Sequence, residues 1–186
     1  MSMSKSIFRQ KCLKKLKKVS KGNLLYRNTK VNDKLYRAIR NKKRLNILFY
    51  YPLGIEVNII KVLNLMRKNH NIYIPFMVEQ SFKMVPFRLP LMKKKFGIFE
   101  AGNTYRKINN IDIAIVPVVG VDGNLQRVGF GKGMYDRFFE NLQKKPYIIF
   151  IQLEDCYTDE YICDTYDIKC DLYLTPKKTI VRKNRN

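Results

Sequence analysis

The chain has 186 residues, 46% of them apolar, which suits a single domain with a core of its own. Its 37 Lys and Arg against 15 Asp and Glu give a formal charge of +22, a field that draws polyanions and makes nucleic acid a partner to weigh. No stretch approaches the roughly 20 apolar residues of a membrane span, and the start MSMSKSIFRQKCLKK lacks the apolar run and cleavage site of a secretory signal, so a cytoplasmic protein is expected.

The charge is uneven. Residues 1–50 carry sixteen basic side chains and one acid, Asp33, whereas the remaining 136 carry 21 and 14. Within this basic part Ile7, Phe8, Cys12, Leu13 and Leu16 recur between lysines at amphipathic spacing, which predicts a helix over 4–18 ended by Gly22 and Asn23. Leu25, Val31, Leu35 and Ile39 predict a second helix over 24–39, running into a solvated turn at Arg40, Lys42, Lys43 and Arg44.

From Leu45 the texture changes. Residues 45–51 form a short apolar and aromatic run stopped by Pro52 and Gly54, as expected of a strand buried on both faces. Ile60, Leu63 and Met66 return to helical spacing over 57–67, and 71–77 reads as a strand, which completes a β-α-β unit. The segment 78–110, broken by Pro86, Pro90, Gly97 and Gly102, is expected to be a long crossover of loops with room for a hairpin. A second alternation follows, with strands at 111–116, 147–153 and 172–174 and a helix at 133–142. The expected fold is therefore α/β, a single domain whose mostly parallel sheet is flanked by helices on both faces, with two helices at the N-terminus.

Cys12, Cys156, Cys163 and Cys170 include no C-x-x-C pair, and the seven-residue recurrence of the last three lacks histidines to complete a zinc site. They are expected to be reduced, structural thiols. The single histidine, His70, lies in a predicted turn, where a general-base role is not expected.

The densest chemical signal is the segment 116–136, a strand, a glycine-rich loop and a helix. Gly129, Gly131 and Gly133 let backbone N–H groups approach an anion closely, Arg127 and Lys132 add positive charge, and Asp136 one turn on offers oxygen to Mg²⁺. The loop is neither a Walker A motif nor G-x-G-x-x-G. Taken alone, a tight turn into a helix explains the glycines as well as an anion site does.

The order RVGFGKGMYDRF preceded by VPVVGVD resembles the signature of the 5-formyltetrahydrofolate cyclo-ligase family, also called methenyltetrahydrofolate synthetases. Lys5-Ser-Ile-Phe-Arg9 is similar to the family's N-terminal Lys-x3-Arg, and the segment from Tyr51 through Glu56 is similar to its run ending in Glu-Val-Asp-Thr. Phe96-Gly-Ile-Phe-Glu100 and Tyr166-Asp167-Ile-Lys-Cys-Asp171 are similar to two further family segments, so the likeness spans most of the chain.

The resemblance implies an ATP- and Mg²⁺-dependent enzyme acting on 5-formyltetrahydrofolate, with or without a polyglutamate tail; a monomer is expected. By it, Lys5, Arg9, Arg127, Gly129, Phe130, Gly131, Lys132, Gly133, Met134 and Tyr135 would bind ATP, with Arg127 and Lys132 also assisting the chemistry. Tyr51, Glu56, Phe96 and Tyr135 would line the folate site, and Asp136 and Asp167 would hold Mg²⁺. Each position has a plainer reading: solvated helix lysines for Lys5 and Arg9, a helix-start charge for Glu56, core aromatics for Tyr51, Phe96 and Tyr135, and a turn for Asp167. Tyr166 stands where the family often has His, and Phe99 and Ala101 replace usual prolines. The rival from another class is an RNA-binding protein whose basic first 50 residues track phosphates, although no RNP box or GXXG clamp accompanies them.

Overall fold

A computed structural model gives the fold and describes residues 3–19, 21–93, 99–104, 108 and 110–183. Helix α1 (Lys5–Val19) buries Phe8, Cys12 and Leu16, one residue per turn. Helix α2 (Leu24–Ile39) buries Val31, Leu35 and Ile39 in the same manner. Both lie where the apolar stripe predicts, because that stripe has a sheet to cover. Each large aliphatic side chain removed from water in this way contributes about 1.5–3 kcal/mol.

The sheet has seven strands in the order β11-β10-β9-β6-β1-β2-β3. Its parallel centre comprises β10 (Leu172–Leu174), β9 (Tyr147–Ile151), β6 (Ile113–Pro117), β1 (Asn46–Leu48) and β2 (Asn71–Val78). Antiparallel strands β11 (Thr179–Val181) and β3 (Ser81–Pro86) close the two edges. The pleat sorts side chains between two cores. Ile47, Ile72, Ile74, Ile113, Ile115, Ile149, Ile151, Leu172 and Leu174 face α1, α2 and α3 (Ile60–Met66). Leu48, Ala114, Val116, Ile148, Phe150 and Tyr173 belong to the opposite core with Phe138 and Phe139 of α4 (Met134–Glu140). Helices thus cover both faces, three on one and one short helix on the other.

The order of the strands positions the site. From β1 the chain crosses to β2 in one direction, and from β6 it crosses to β9 and β10 in the other, so a crevice opens between the carboxyl ends of β1 and β6. The segments carrying Glu56, the glycine loop and Asp167 follow the carboxyl ends of β1, β6 and β9 respectively.

Several sequence expectations need correction. The first strand stops at Leu48 rather than 51, because the chain then turns out over the crevice, with the buried Tyr50 hydroxyl donating to Val57 O at 2.8 Å. The third helix starts at Ile60 rather than 57, where Asn58 Oδ1 accepts from the Ile60 amide at 3.2 Å. The segment 78–110 contains the edge strand β3 and a two-stranded hairpin, β4 (Met92–Lys93) and β5 (Phe99–Glu100). Another short hairpin, β7 (Gly120–Val121) and β8 (Arg127–Val128), stands between β6 and the glycine loop. The cysteine expectation fails for one pair: Cys12 of α1 and Cys156, after β9, are joined in a disulfide with Cα atoms 5.7 Å apart. Cys163 and Cys170 are free, and burial raises both thiols well above their ordinary value.

His70 is buried, its Nδ1 accepts from the Leu45 amide at 3.2 Å, and burial lowers its pKa. Asp171 serves the fold, accepting from the Ile148 amide at 2.8 Å and pairing with Arg182. No helix among the described residues is long and apolar enough to cross a membrane.

Candidate functional site

The site is built on the loop from β8 to α4. Arg127 lies on β8, 6% exposed, with its amide bonded to Ile168 O at 2.9 Å. Nε and Nη2 of its guanidinium donate to Pro117 O at 3.2 and 3.1 Å, and Cζ sits 4.7 Å from the centre of the Tyr135 ring. A buried cation held by one carbonyl and one ring keeps unspent donors for an anion. Burial pulls the guanidinium below its ordinary pKa, while Asp136, Tyr135, Glu56 and Asp167 push it back up.

The glycines that follow are required by the geometry at two kinds of place. Gly131 and Gly133 have φ of 93° and 62°, in the left-handed region that L side chains avoid. Gly129 has no such φ, yet a Cβ there would stand 2.3 Å from Arg127 Nη1. The Gly129 carbonyl accepts from Arg9 Nε at 2.8 Å, which ties α1 to the loop.

Between α1, this loop and the 164–167 turn lies an open cleft of about 440 Å³. Its walls include Lys5, Arg9, Arg127, Gly129, Gly131 and Gly133. Asp136, Arg137, Glu140, Tyr166 and Asp167 complete them. The N-terminal helix and the central motif, more than 110 residues apart in the chain, therefore meet at one cleft. Lys5 Nζ pairs with the Asp167 carboxylate and with Asp164 Oδ2 at 2.9 Å. Burial works against that ammonium, but the two carboxylates outweigh it and hold its pKa above the ordinary value.

Other named residues lie elsewhere. Lys132 and Phe130 are exposed at the tip of the loop and do not line the cleft; the Lys132 side chain makes no hydrogen bond or ion pair with the described residues. Met134 packs against the second core. Tyr51 stacks at a tilt on Phe99, with ring centres 5.0 Å apart, so the Phe that replaces a usual proline serves as its packing partner. Phe96 falls outside the described residues. Tyr135 meets Phe82 edge-on at 5.1 Å as well as Arg127, and burial followed by the nearby Glu56 raises its hydroxyl pKa far above the ordinary value.

Glu56 does not line that cleft, but it carries a large upward pKa shift and feels Arg127. Its Oε2 accepts from the Leu53 amide at 2.8 Å, yet burial raises its pKa from 4.5 to about 7, against that bond and the attraction of Arg127. The unfolded chain loses this proton near 4.5 and the folded protein near 7, so stability is fully present below pH 4.5 and is lost as pH rises through 7. At about 1.4 kcal/mol per pKa unit the loss reaches about 3 kcal/mol. Glu56→Gln should remove this slope, seen as a wild-type minus variant difference between denaturant melts at pH 5 and pH 8. An equal slope in both proteins would contradict the burial of this carboxyl.

Asp136 and Asp167 both face the cleft, and Asp136 Oδ1 accepts at 3.3 Å from the amide of Ile168, next to Asp167. No group of three or more potential ligands clusters among the described residues. Two carboxylates nevertheless suit Mg²⁺, which takes one or two from the protein and completes its shell with phosphate oxygens and water. Sequence reasoning missed Arg137, Glu140 and Asp164. Glu140 lies four residues after Asp136, on the same face of α4, and that spacing was the available signal.

Comparison with known proteins converges on one family. The sequence model of the 5-formyltetrahydrofolate cyclo-ligase family matches residues 1–175. A 5-formyltetrahydrofolate cyclo-ligase of Mycoplasma pneumoniae is 25% identical over 173 residues, covering 92% of this chain and 98% of that one. One from Haemophilus influenzae is 28% identical over 127 residues, covering 63% and 68%. Among solved structures, the NMR structure of Aquifex aeolicus 5,10-methenyltetrahydrofolate synthetase superposes with a TM-score of 0.80 at 25% identity, covering 99% of this chain and 96% of that one.

Proposed function

The chain belongs to the 5-formyltetrahydrofolate cyclo-ligase family, and from that premise we propose that it converts 5-formyltetrahydrofolate to 5,10-methenyltetrahydrofolate, with ATP cleaved to ADP and phosphate in the cleft between α1 and the glycine loop. The observation that carries this reading is the convergence of Lys5, Arg9, Arg127, three loop glycines and the carboxylates Asp136, Glu140 and Asp167 on one cleft beyond the sheet's carboxyl edge. Cations and backbone amides suit a triphosphate, and carboxylates suit the metal that accompanies it.

In this reading the formyl oxygen attacks the γ-phosphorus and ADP leaves. N10 then attacks the formyl carbon and gives up its proton, and phosphate departs with the former formyl oxygen as the ring closes. Such transfers need positioning and neutralisation rather than a nucleophile from the protein. Arg127 holds the phosphates from its buried seat, Arg9 fixes the loop through Gly129 O, and Asp136 and Asp167 would hold Mg²⁺, which neutralises phosphate charge when bound. Lys5 meanwhile orients the Asp167 carboxylate. Glu56, neutral or charged near pH 7, accepts the ring N–H groups of the pterin, with Tyr51 and Tyr135 as its aromatic neighbours. Formyl-¹⁸O substrate tests the first step: label recovered in inorganic phosphate supports attack by the formyl oxygen, and label recovered in water overturns it.

Lys132 acts from outside the resting cleft as a mobile charge that closes on the transferring phosphoryl group. A charged hydrogen bond made only there is worth about 1.5–3 kcal/mol, so Lys132→Ala should lower kcat about 10- to 100-fold with an unchanged melting temperature. Unchanged turnover would remove Lys132 from the reaction.

A further inference from the structure

One buried polar group beside the site is unused by the chemistry above. Gln126 is 3% exposed and does not line the cleft. Its Nε2 donates to two carbonyls of the turn that carries the cleft's carboxylate, Asp164 O at 2.6 Å and Asp167 O at 3.1 Å. The same turn is closed by the Asp164 amide on Asp167 Oδ2 at 2.7 Å and by the Asp167 amide on Asp164 O at 3.1 Å. The Asp164 side chain is half exposed, whereas Asp167 is buried, so the turn runs from the surface into the wall of the cleft.

Gln126 is itself fixed from behind. Its amide donates to Oδ1 of Asp122 at 2.9 Å, and Asp122 is wholly buried. Oδ1 of that carboxylate also accepts from the Asn124 amide at 3.0 Å, and Oδ2 accepts from the Cys163 amide at 3.1 Å. One carboxylate thus locks the β7–β8 turn to the start of the 164–167 turn. A buried carboxylate with three backbone donors resists displacement, since losing any of them leaves charge unsatisfied.

We propose that Gln126 is a positioning residue for the metal and phosphate end of the cleft, its carboxamide holding the 164–167 turn so that the Asp167 carboxylate stands at a fixed place relative to Arg127. Residues 126 and 127 are adjacent on one short hairpin, and they anchor the carboxylate and the cation of the same site. The inference rests on the Mg-ATP reading of the cleft given above.

The test compares wild type with Gln126→Met, which keeps length and loses the donors, and Gln126→Glu, which keeps shape and sets an oxygen against two carbonyls. ADP is titrated calorimetrically with and without Mg²⁺, and turnover is measured alongside. In wild type Mg²⁺ should tighten ADP binding; in Gln126→Met that gain should shrink about tenfold, the worth of one or two hydrogen bonds, and in Gln126→Glu it should shrink further. KM for ATP should rise in step, KM for the folate should stay within about twofold, and amide exchange at Asp164 and Asp167 should quicken. An unchanged Mg²⁺ gain in both variants overturns the proposal, as does an equal loss of folate and nucleotide affinity with loss of native circular dichroism. Wild type that binds ADP without any influence of Mg²⁺ would instead refute the underlying reading of the cleft, and the inference with it.

Discussion

Arg127→Met should lower kcat/KM for the ATP-dependent ring closure by about 10²- to 10³-fold, the range found when one preorganised charge-stabilising donor is removed from an active site. The guanidinium is buried, held by Pro117 O and the Tyr135 ring, with nearby carboxylates partly opposing the desolvation that lowers its pKa. A cation already desolvated and oriented needs no rearrangement as charge gathers on the transferred oxygens. Methionine fills comparable volume, so the fold should survive, with one carbonyl left unpaired at a cost of about 1–3 kcal/mol. Arg127→Lys should recover little, because a point charge cannot reproduce the planar fork that reaches Pro117 O and a phosphate together. Steady-state kinetics with a urea melt check this. Loss of less than fivefold in both variants would place Arg127 outside the chemistry.

Gly129→Ala should lower kcat/KM about 100-fold while changing the midpoint of unfolding little. The added methyl would stand 2.3 Å from Arg127 Nη1 and 2.8 Å from its Cζ, closer than real side-chain atoms come. The loop or the guanidinium must shift, and a displacement of about 1 Å at a positioned group is enough for an effect of that size. Gly131→Ala is the informative contrast. A Cβ there has only Arg9 atoms, at 3.9 to 4.0 Å, but the φ of 93° makes it a backbone problem instead. It should therefore cost stability, of about 1–2 kcal/mol, more than Gly129→Ala does. Equal kinetic and stability losses in the two variants would contradict these separate causes.

The parts of the fold legible in the sequence are those where one physical signal dominates. The stripe Phe8, Cys12, Leu16 and the stripe Val31, Leu35, Ile39 mark α1 and α2 almost to the residue, because each needs a single continuous face for burial. The central strands were legible as apolar runs for the same reason. Edge strands were not: β3 contains Lys83 and Pro86, and β11 exposes Thr179 and Val181, since an edge has only one neighbour and keeps part of its surface wet. The Cys12–Cys156 bond joins residues 144 apart on elements whose contact no local pattern announces.

The site divides similarly. The loop from Arg127 to Asp136 announces itself through its glycines and charges, but periodicity could not bring Lys5 and Arg9 to it; the likeness of motifs did, and the Arg9–Gly129 bond gives the physical link. Lys132 and Met134 share the motif yet differ in placement, one exposed and one partly buried against the second core, because a short loop cannot aim every residue at one ligand. Asp122 ends the VPVVGVD run, but nothing in the sequence marked its three backbone bonds or the role of Gln126, since hydrogen bonds to backbone carbonyls and amides leave no residue pattern.

The most direct test of the whole account is optical. Purified protein mixed with 5-formyltetrahydrofolate and Mg-ATP should develop the absorbance of the methenyl product, with one ADP released per ring closed and no change when ATP is omitted. Folded protein that produces no ATP-dependent rise in that absorbance would contradict it.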